Sequence, residues 1–122
     1  MSRTNEITLE NVKPLEAVVM LHDGVLVRIA DAAKAAAEGD FEGQFAQVMR
    51  ANQILSGLNR CLDMDAGGDV AARLRDTYEA LAGALTGTLG KNDSVAYQKI
   101  GKAVWDSREA WASIAGVDGL AP

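Results

Sequence analysis

Apolar residues recur at helical spacing along most of this chain. From Pro14 they fall at Leu15, Val18, Val19, Val25, Leu26, Ile29, Ala33 and Ala36, with His22 inside the same stripe. Pro suits the first turn of a helix, where its missing N–H costs nothing. The spacing predicts a first helix from Pro14 to about Glu38. Gly39-Asp40 then reads as a stop followed by the N-cap of a second helix. That helix places Phe41, Phe45, Val48, Asn52, Leu55, Asn59 and Leu62 on one face. Met64 to Asp69, with Gly67-Gly68, reads as a turn.

A third helix shows Val70, Leu74, Thr77, Tyr78, Leu81, Leu85 and Leu89. Gly83 and Gly87 weaken its second half, at about 1 kcal/mol each relative to Ala. Packing must hold that half, or it frays. Gly90 to Asp93 forms the next turn, and Asp93 or Ser94 caps a fourth helix. The fourth stripe is Ala96, Ile100, Ala103, Val104, Ser107, Trp111 and Ile114, ended by Gly116 to Gly119. No run alternates as a strand would. Four amphipathic helices joined by short connections predict an all-α, antiparallel up-down-up-down four-helix bundle over residues 14–115. A flexible N-terminal segment (1–13) and a short tail (116–122) flank it.

Composition narrows the picture without changing it. The 122 residues are 48% apolar with few aromatics, so the core must come from Leu, Val, Ile and Ala. The abundance of Ala predicts close helix contacts. A net charge of -5 without basic clusters argues against nucleic acid. Ala17 to Leu21 is the longest near-apolar stretch, far too short to span a bilayer, so no membrane insertion is expected. Residues 1–6 lack the apolar core of a secretory signal, and the one cysteine, Cys61, cannot form an internal disulfide. Both predict a cytoplasmic protein.

Reactive groups are thin. The one His and one Cys lie on different helices, Glu-x-x-His does not occur, and Gly67-Gly68 lacks the spacing and Lys of a phosphate loop. His22 reads as a core or half-buried histidine with one hydrogen bond, and Cys61 as a small, partly buried residue. Asp63, Asp65 and Asp69 read as turn and capping residues, because the loop lacks the arrangement of a calcium-binding helix–loop–helix. No catalytic residue, cofactor or metal ligand is therefore expected.

Some apolar residues exceed what the four stripes need. Ile54 and Leu58 form an i, i+4 ridge beside the second stripe. Met20 and Val27 lie on a flank of the first, and Trp105 lies about 100° from the centre of the fourth. One reading is that the stripes are wide, or that isolated apolar residues are exposed, as is normal. The other is that Ile54, Leu58, Met20, Val27 and Trp105 line grooves that receive an apolar segment of a partner.

Several motifs, in one order and spacing, resemble a known family. Met20-Leu21-His22-Asp23-Gly24 resembles the Met-Leu-Tyr-Asp-Gly signature of the flagellar secretion chaperones, the FliS family. Arg50-Ala51-Asn52-Gln53-Ile54-Leu55, Leu58 and Leu62-Asp63 are similar to that family's second helix. Gly67-Gly68-Asp69-Val70-Ala71, Leu74, Tyr78, Leu81 and Leu85 are similar to its third. Arg108-Glu109-Ala110-Trp111 looks like its closing Leu-Arg-x-x-Trp. The chain departs from the pattern at four places. Residues 1–13 contain no aromatic, His22 stands for the signature Tyr, Thr88-Leu89 for Ala-Asn, and Ser107 for the Leu before the closing Arg.

The resemblance implies a cytoplasmic chaperone without enzymatic activity. Its partner would be the disordered C-terminal segment of flagellin or of a flagellin-like export substrate, held in apolar grooves so that it neither polymerises early nor misses export. Two other readings stand beside it. One is a paralogue acting as an assembly or regulatory adaptor that binds a folded partner. The other is a small enzyme or metal protein using His22 and nearby carboxylates.

Overall fold

The computed structural model describes residues 14–62 and 64–115, those at 14, 64–67 and 114–115 by backbone only. The expectations for the 1–13 segment, the 116–122 tail and the Asp63 and Asp65 side chains lie outside the described residues. Within them the chain is all-helical: α1 (Pro14–Ala37), α2 (Phe41–Arg60), α3 (Met64–Thr86) and α4 (Ser94–Ala115).

The first junction forms where the local chemistry demands it. Gly39 has φ 76°, a left-handed conformation that favours glycine. It lets Gly39 N–H donate to Ala36 O and Asp40 N–H to Ala35 O, which satisfies carbonyls at the end of α1. Asp40 then starts α2, its carboxylate accepting from Gly43 N–H at 2.9 Å. At α4 Asp93 does the same for Ala96 N–H at 3.0 Å. The expected turn at Met64 to Asp69 is instead a helical turn that runs into the main body of α3 through a kink. The kink sits at Gly68, whose φ of 54° departs from helical geometry. The third helix ends at Thr86 rather than Leu89, and residues 87–90 form a turn.

One core joins the four helices. It comprises Val18, Val25, Ile29, Ala32 and Ala36 from α1, and Val48, Ala51, Leu55 and Leu58 from α2. Tyr78, Leu81 and Leu85 enter from α3, and Tyr97, Ile100 and Val104 from α4. Each large aliphatic side chain buried here contributes about 1.5–3 kcal/mol against exposure. α1 packs on α2 and on α4, α2 packs on α3, and α3 meets α4 most sparsely. Small residues bring α1 and α2 together. A Cβ added at Gly24 would stand 3.3 Å from Ile54 Cδ1, so even alanine is a tight fit there. This agrees with the close contacts that the alanine content implied.

Three stripes read from the sequence require correction. On α2 the inward face is Gln44, Val48, Ala51, Leu55 and Leu58, spaced four, three, four, three. Phe41 and Phe45, placed on the core face by their size, are 43% and 53% exposed. Leu58, read as part of a surface ridge, is a core residue at 1% exposure. The true face is rotated by part of a turn because Gln44 can be buried. Its side-chain nitrogen shares two protons among Thr88 O (2.9 Å), Lys91 O (2.9 Å) and Tyr97 Oη (2.7 Å), and its carbonyl accepts from Gly90 N–H (2.8 Å). An amide with partners on both atoms enters a core without the desolvation penalty of an unpaired one. On α3 and α4 the same drift leaves Val70 and Thr77 exposed and buries Tyr97, Arg108 and Ala112.

Candidate partner-binding surface

The five side chains singled out as partner contacts do not gather in one place. Ile54 is half-buried and reaches Gly24 across the seam between α1 and α2. Met20 and Val27 lie within about 60° of Gly24 on the helical wheel, on the same edge of α1. That edge also carries Arg28, which donates to Gln47 of α2 at 2.8 Å. Ile54, the half-buried Met20 and the exposed Val27 therefore follow one seam. Trp105 sits on another. It is 43% exposed, and the Arg108 guanidinium lies 5.2 Å from the centroid of its ring. Leu58 is excluded from any surface by its burial.

Sequence reasoning missed Phe41 and Phe45 as surface residues. They stand one turn apart on α2, toward the side from which Asn52 donates to Thr86 of α3 at 3.1 Å. Val70 and Val95 are also exposed. The signal that could have found the aromatic pair is the four-three repeat from Gln44 to Leu58, which carries Ala51 and Leu58 where the repeat through Phe41 and Phe45 carries Asn52 and Asn59. Once that repeat takes the core, Phe41 and Phe45 fall outside it.

Inside the bundle a buried polar cluster ties three helices. His22 Nδ1 lies 2.8 Å from Val18 O, and a carbonyl only accepts, so Nδ1 carries the proton. Nε2 is then an acceptor, with Ser107 Oγ at 2.8 Å and Tyr78 Oη at 3.0 Å. Trp111 Nε1 donates to Tyr78 Oη at 2.9 Å, and Tyr78 Oη and Ser107 Oγ are 3.0 Å apart. The expectation of one hydrogen bond for His22 understated it. Burial holds the imidazole below its ordinary pKa; the bond to Val18 and the charge of Asp23 act the other way, and Arg108 adds to the lowering. Burial also pushes the Tyr78 phenol up.

Beside the cluster, Arg108 donates to both carboxylate oxygens of Asp23 (2.5 and 3.2 Å) and to Glu109 (3.2 Å). The Asp of the Met20 to Gly24 motif and the Arg of the closing motif are thus partners, locking α1 to α4. The Asp23 pair holds the Arg108 guanidinium charged. Arg108 is buried, while Asp23 keeps half its side chain in solvent with both oxygens turned to Arg108. Among the described residues, no three His, Cys, Asp or Glu side chains are placed to hold a metal ion. Cys61 caps the end of α2 and is exposed, where partial burial was expected. No helix among the described residues is long and apolar enough to cross a membrane.

This is a helical bundle with one shared core, an internally satisfied polar cluster and several apolar side chains left on its surface. The sequence profile of the family described as flagellar protein FliS matches residues 1–118. The chain belongs to that family. It is similar to the flagellar secretion chaperone FliS of Vibrio cholerae serotype O1, at 26% identity over 106 residues, which covers 87% of this chain and 78% of that protein.

Proposed function

We propose that this protein is a flagellar secretion chaperone that binds the disordered C-terminal segment of flagellin, or of a flagellin-like export substrate, and keeps it unpolymerised until export. It does so in the cytoplasm, without catalysis and without a cofactor. The observation that carries the reading is the set of apolar side chains outside a complete core: Val27, Phe41, Phe45, Val70 and Trp105. An ordering client loses conformational entropy, so it needs extended apolar contact to bind tightly. Family membership and the Vibrio cholerae relative's name support the same class. The up-down-up-down order we take for the bundle is supported by cross-links at one end. There the start of α2, at Gln44, meets Thr88 and Lys91 just beyond α3, while Asn52 meets Thr86.

The client surface proposed here is revised from the sequence reading. Ile54, Met20, Val27 and Trp105 remain as contacts, and Phe41 and Phe45 join them. The test is co-purification with C-terminal segments of the host's flagellins, followed by calorimetry at several temperatures. Binding with a negative heat-capacity change is expected. A folded bundle that ignores every such segment overturns the reading, and capture of a folded flagellar protein in its place would point to an adaptor.

A further inference from the structure

Two departures from the family pattern, His22 for Tyr and Ser107 for Leu, lie 85 positions apart and meet at 2.8 Å. Their contact sets a direction through the whole cluster. Trp111 N–H can only donate, so Tyr78 Oη accepts from it. Nε2 of the neutral imidazole has one lone pair, and Ser107 is the nearer hydroxyl. Ser107 therefore donates to His22, Tyr78 donates to Ser107, and every proton of the chain has an acceptor. A proton on Nε2 breaks this order. Nε2–H then donates to Ser107, whose displaced proton has only Tyr78 Oη to turn to in the cluster, so one of the two hydroxyl protons is left there without an acceptor. An unpaired buried donor is costly.

The location makes this break matter. Tyr78 is on α3, and Ser107 and Trp111 are on α4, so the chain bridges the sparsest seam of the bundle. Among the described residues, the charged groups acting on the ring are Asp23 from α1 and Arg108 from α4. They are bound to each other, which limits what Asp23 can offer an imidazolium. From α3 the ionisable neighbour is Tyr78, on which Cys61 at the end of α2 acts in turn.

We propose that His22 is a proton-operated latch, whose protonation breaks the hydrogen-bond chain to Trp111 and loosens α3 from α4. The latch is closed while the imidazole is neutral and opens on acidification. The inference rests on the cluster alone and is independent of which client the protein binds.

The chain has one histidine, so every imidazole signal in an NMR titration belongs to His22. The native protein should show the Nδ1–H tautomer and a titration midpoint below 6.5, the ordinary value. The Trp111 indole N–H resonance and the hydrogen-exchange rates of α3 should change with the same midpoint, while Trp105 serves as reference. A midpoint at or above that ordinary value, or a Trp111 signal that stays still through it, overturns the proposal. In melting experiments the sign follows from the lowered pKa. Stability is fully present above about pH 6.5 and falls once the unfolded chain takes up a proton that the folded chain refuses. The native protein should lose roughly 3–6 °C of melting temperature per pH unit just below that point, beyond the loss of His22→Gln. Equal loss in the two proteins would also overturn it, and if His22→Gln does not fold, the titration of the native protein decides.

Discussion

Replacing Gln44 with Ala tests how this bundle is held at one end. Hydropathy alone makes Gln44 dispensable and the neighbouring Phe45 a core residue; the structure reverses the two. Gln44 is fully buried, and its amide joins the start of α2 to the turn after α3 and to Tyr97 on α4. Thr88 O keeps a second donor in Lys91 N–H, and the exposed Lys91 can turn its carbonyl to water. The losses that remain are the acceptor of Gly90 N–H, the donor to Tyr97 Oη and the packing of the side-chain stem. One or two net hydrogen bonds and one unsatisfied buried group sum to about 3 kcal/mol. With an unfolding entropy of about 2.1 cal/mol/K per residue, 122 residues give about 0.26 kcal/mol/K, so the melting temperature should fall by roughly 12 °C. Phe45, 53% exposed, should cost less than about 1 kcal/mol as Ala, where a fully buried Phe would cost about 3–5. Thermal and urea melts followed by far-UV circular dichroism compare the two variants directly. The reasoning is refuted if Phe45→Ala is the more damaging change, or if Gln44→Ala lowers the melting temperature by less than about 4 °C.

Leu58→Asp should unfold the protein, since a buried unpaired carboxylate and a lost Leu together approach the roughly 5–15 kcal/mol that holds a domain. Ile54→Asp, at a half-buried seam position, should stay folded in the same melts and fail in the flagellin-segment calorimetry. Tyr78→Phe removes the acceptor of Trp111 Nε1 and should cost about 1–3 kcal/mol in urea unfolding, with greater exposure of Trp111 to fluorescence quenching. Gly24→Ala should change stability by no more than about 1 kcal/mol, because the gain in helix propensity offsets the squeeze against Ile54 Cδ1; a larger loss would mean that α1 cannot yield to α2 there.

The amino-acid sequence by itself determined where helices begin and end wherever the signal is local. Gly39-Asp40 and Asp93 act through bonds to residues three to five positions away, so a reader of the chain sees both partners. The sequence also carried the family, because its motifs keep their order along the chain. It placed the second turn only in part, since helical backbone resumes before the Gly68 kink. Which edge of each helix faces inward was decided by tertiary structure. A stripe with period 3.6 permits neighbouring faces that differ by a fraction of a turn, and size drew Phe41 and Phe45 inward where packing turned them out. Gln44 could be assigned to the core only when the turn after α3 and Tyr97 were in place to receive its amide. His22 was legible as a buried histidine, but its partners lie 56 and 85 residues away. Helical periodicity records the burial of a face and carries no record of such bonds. The candidate surface is therefore what the folded bundle leaves over: Ile54 survives at a seam, Leu58 passes into the core, and the exposed phenylalanines replace it.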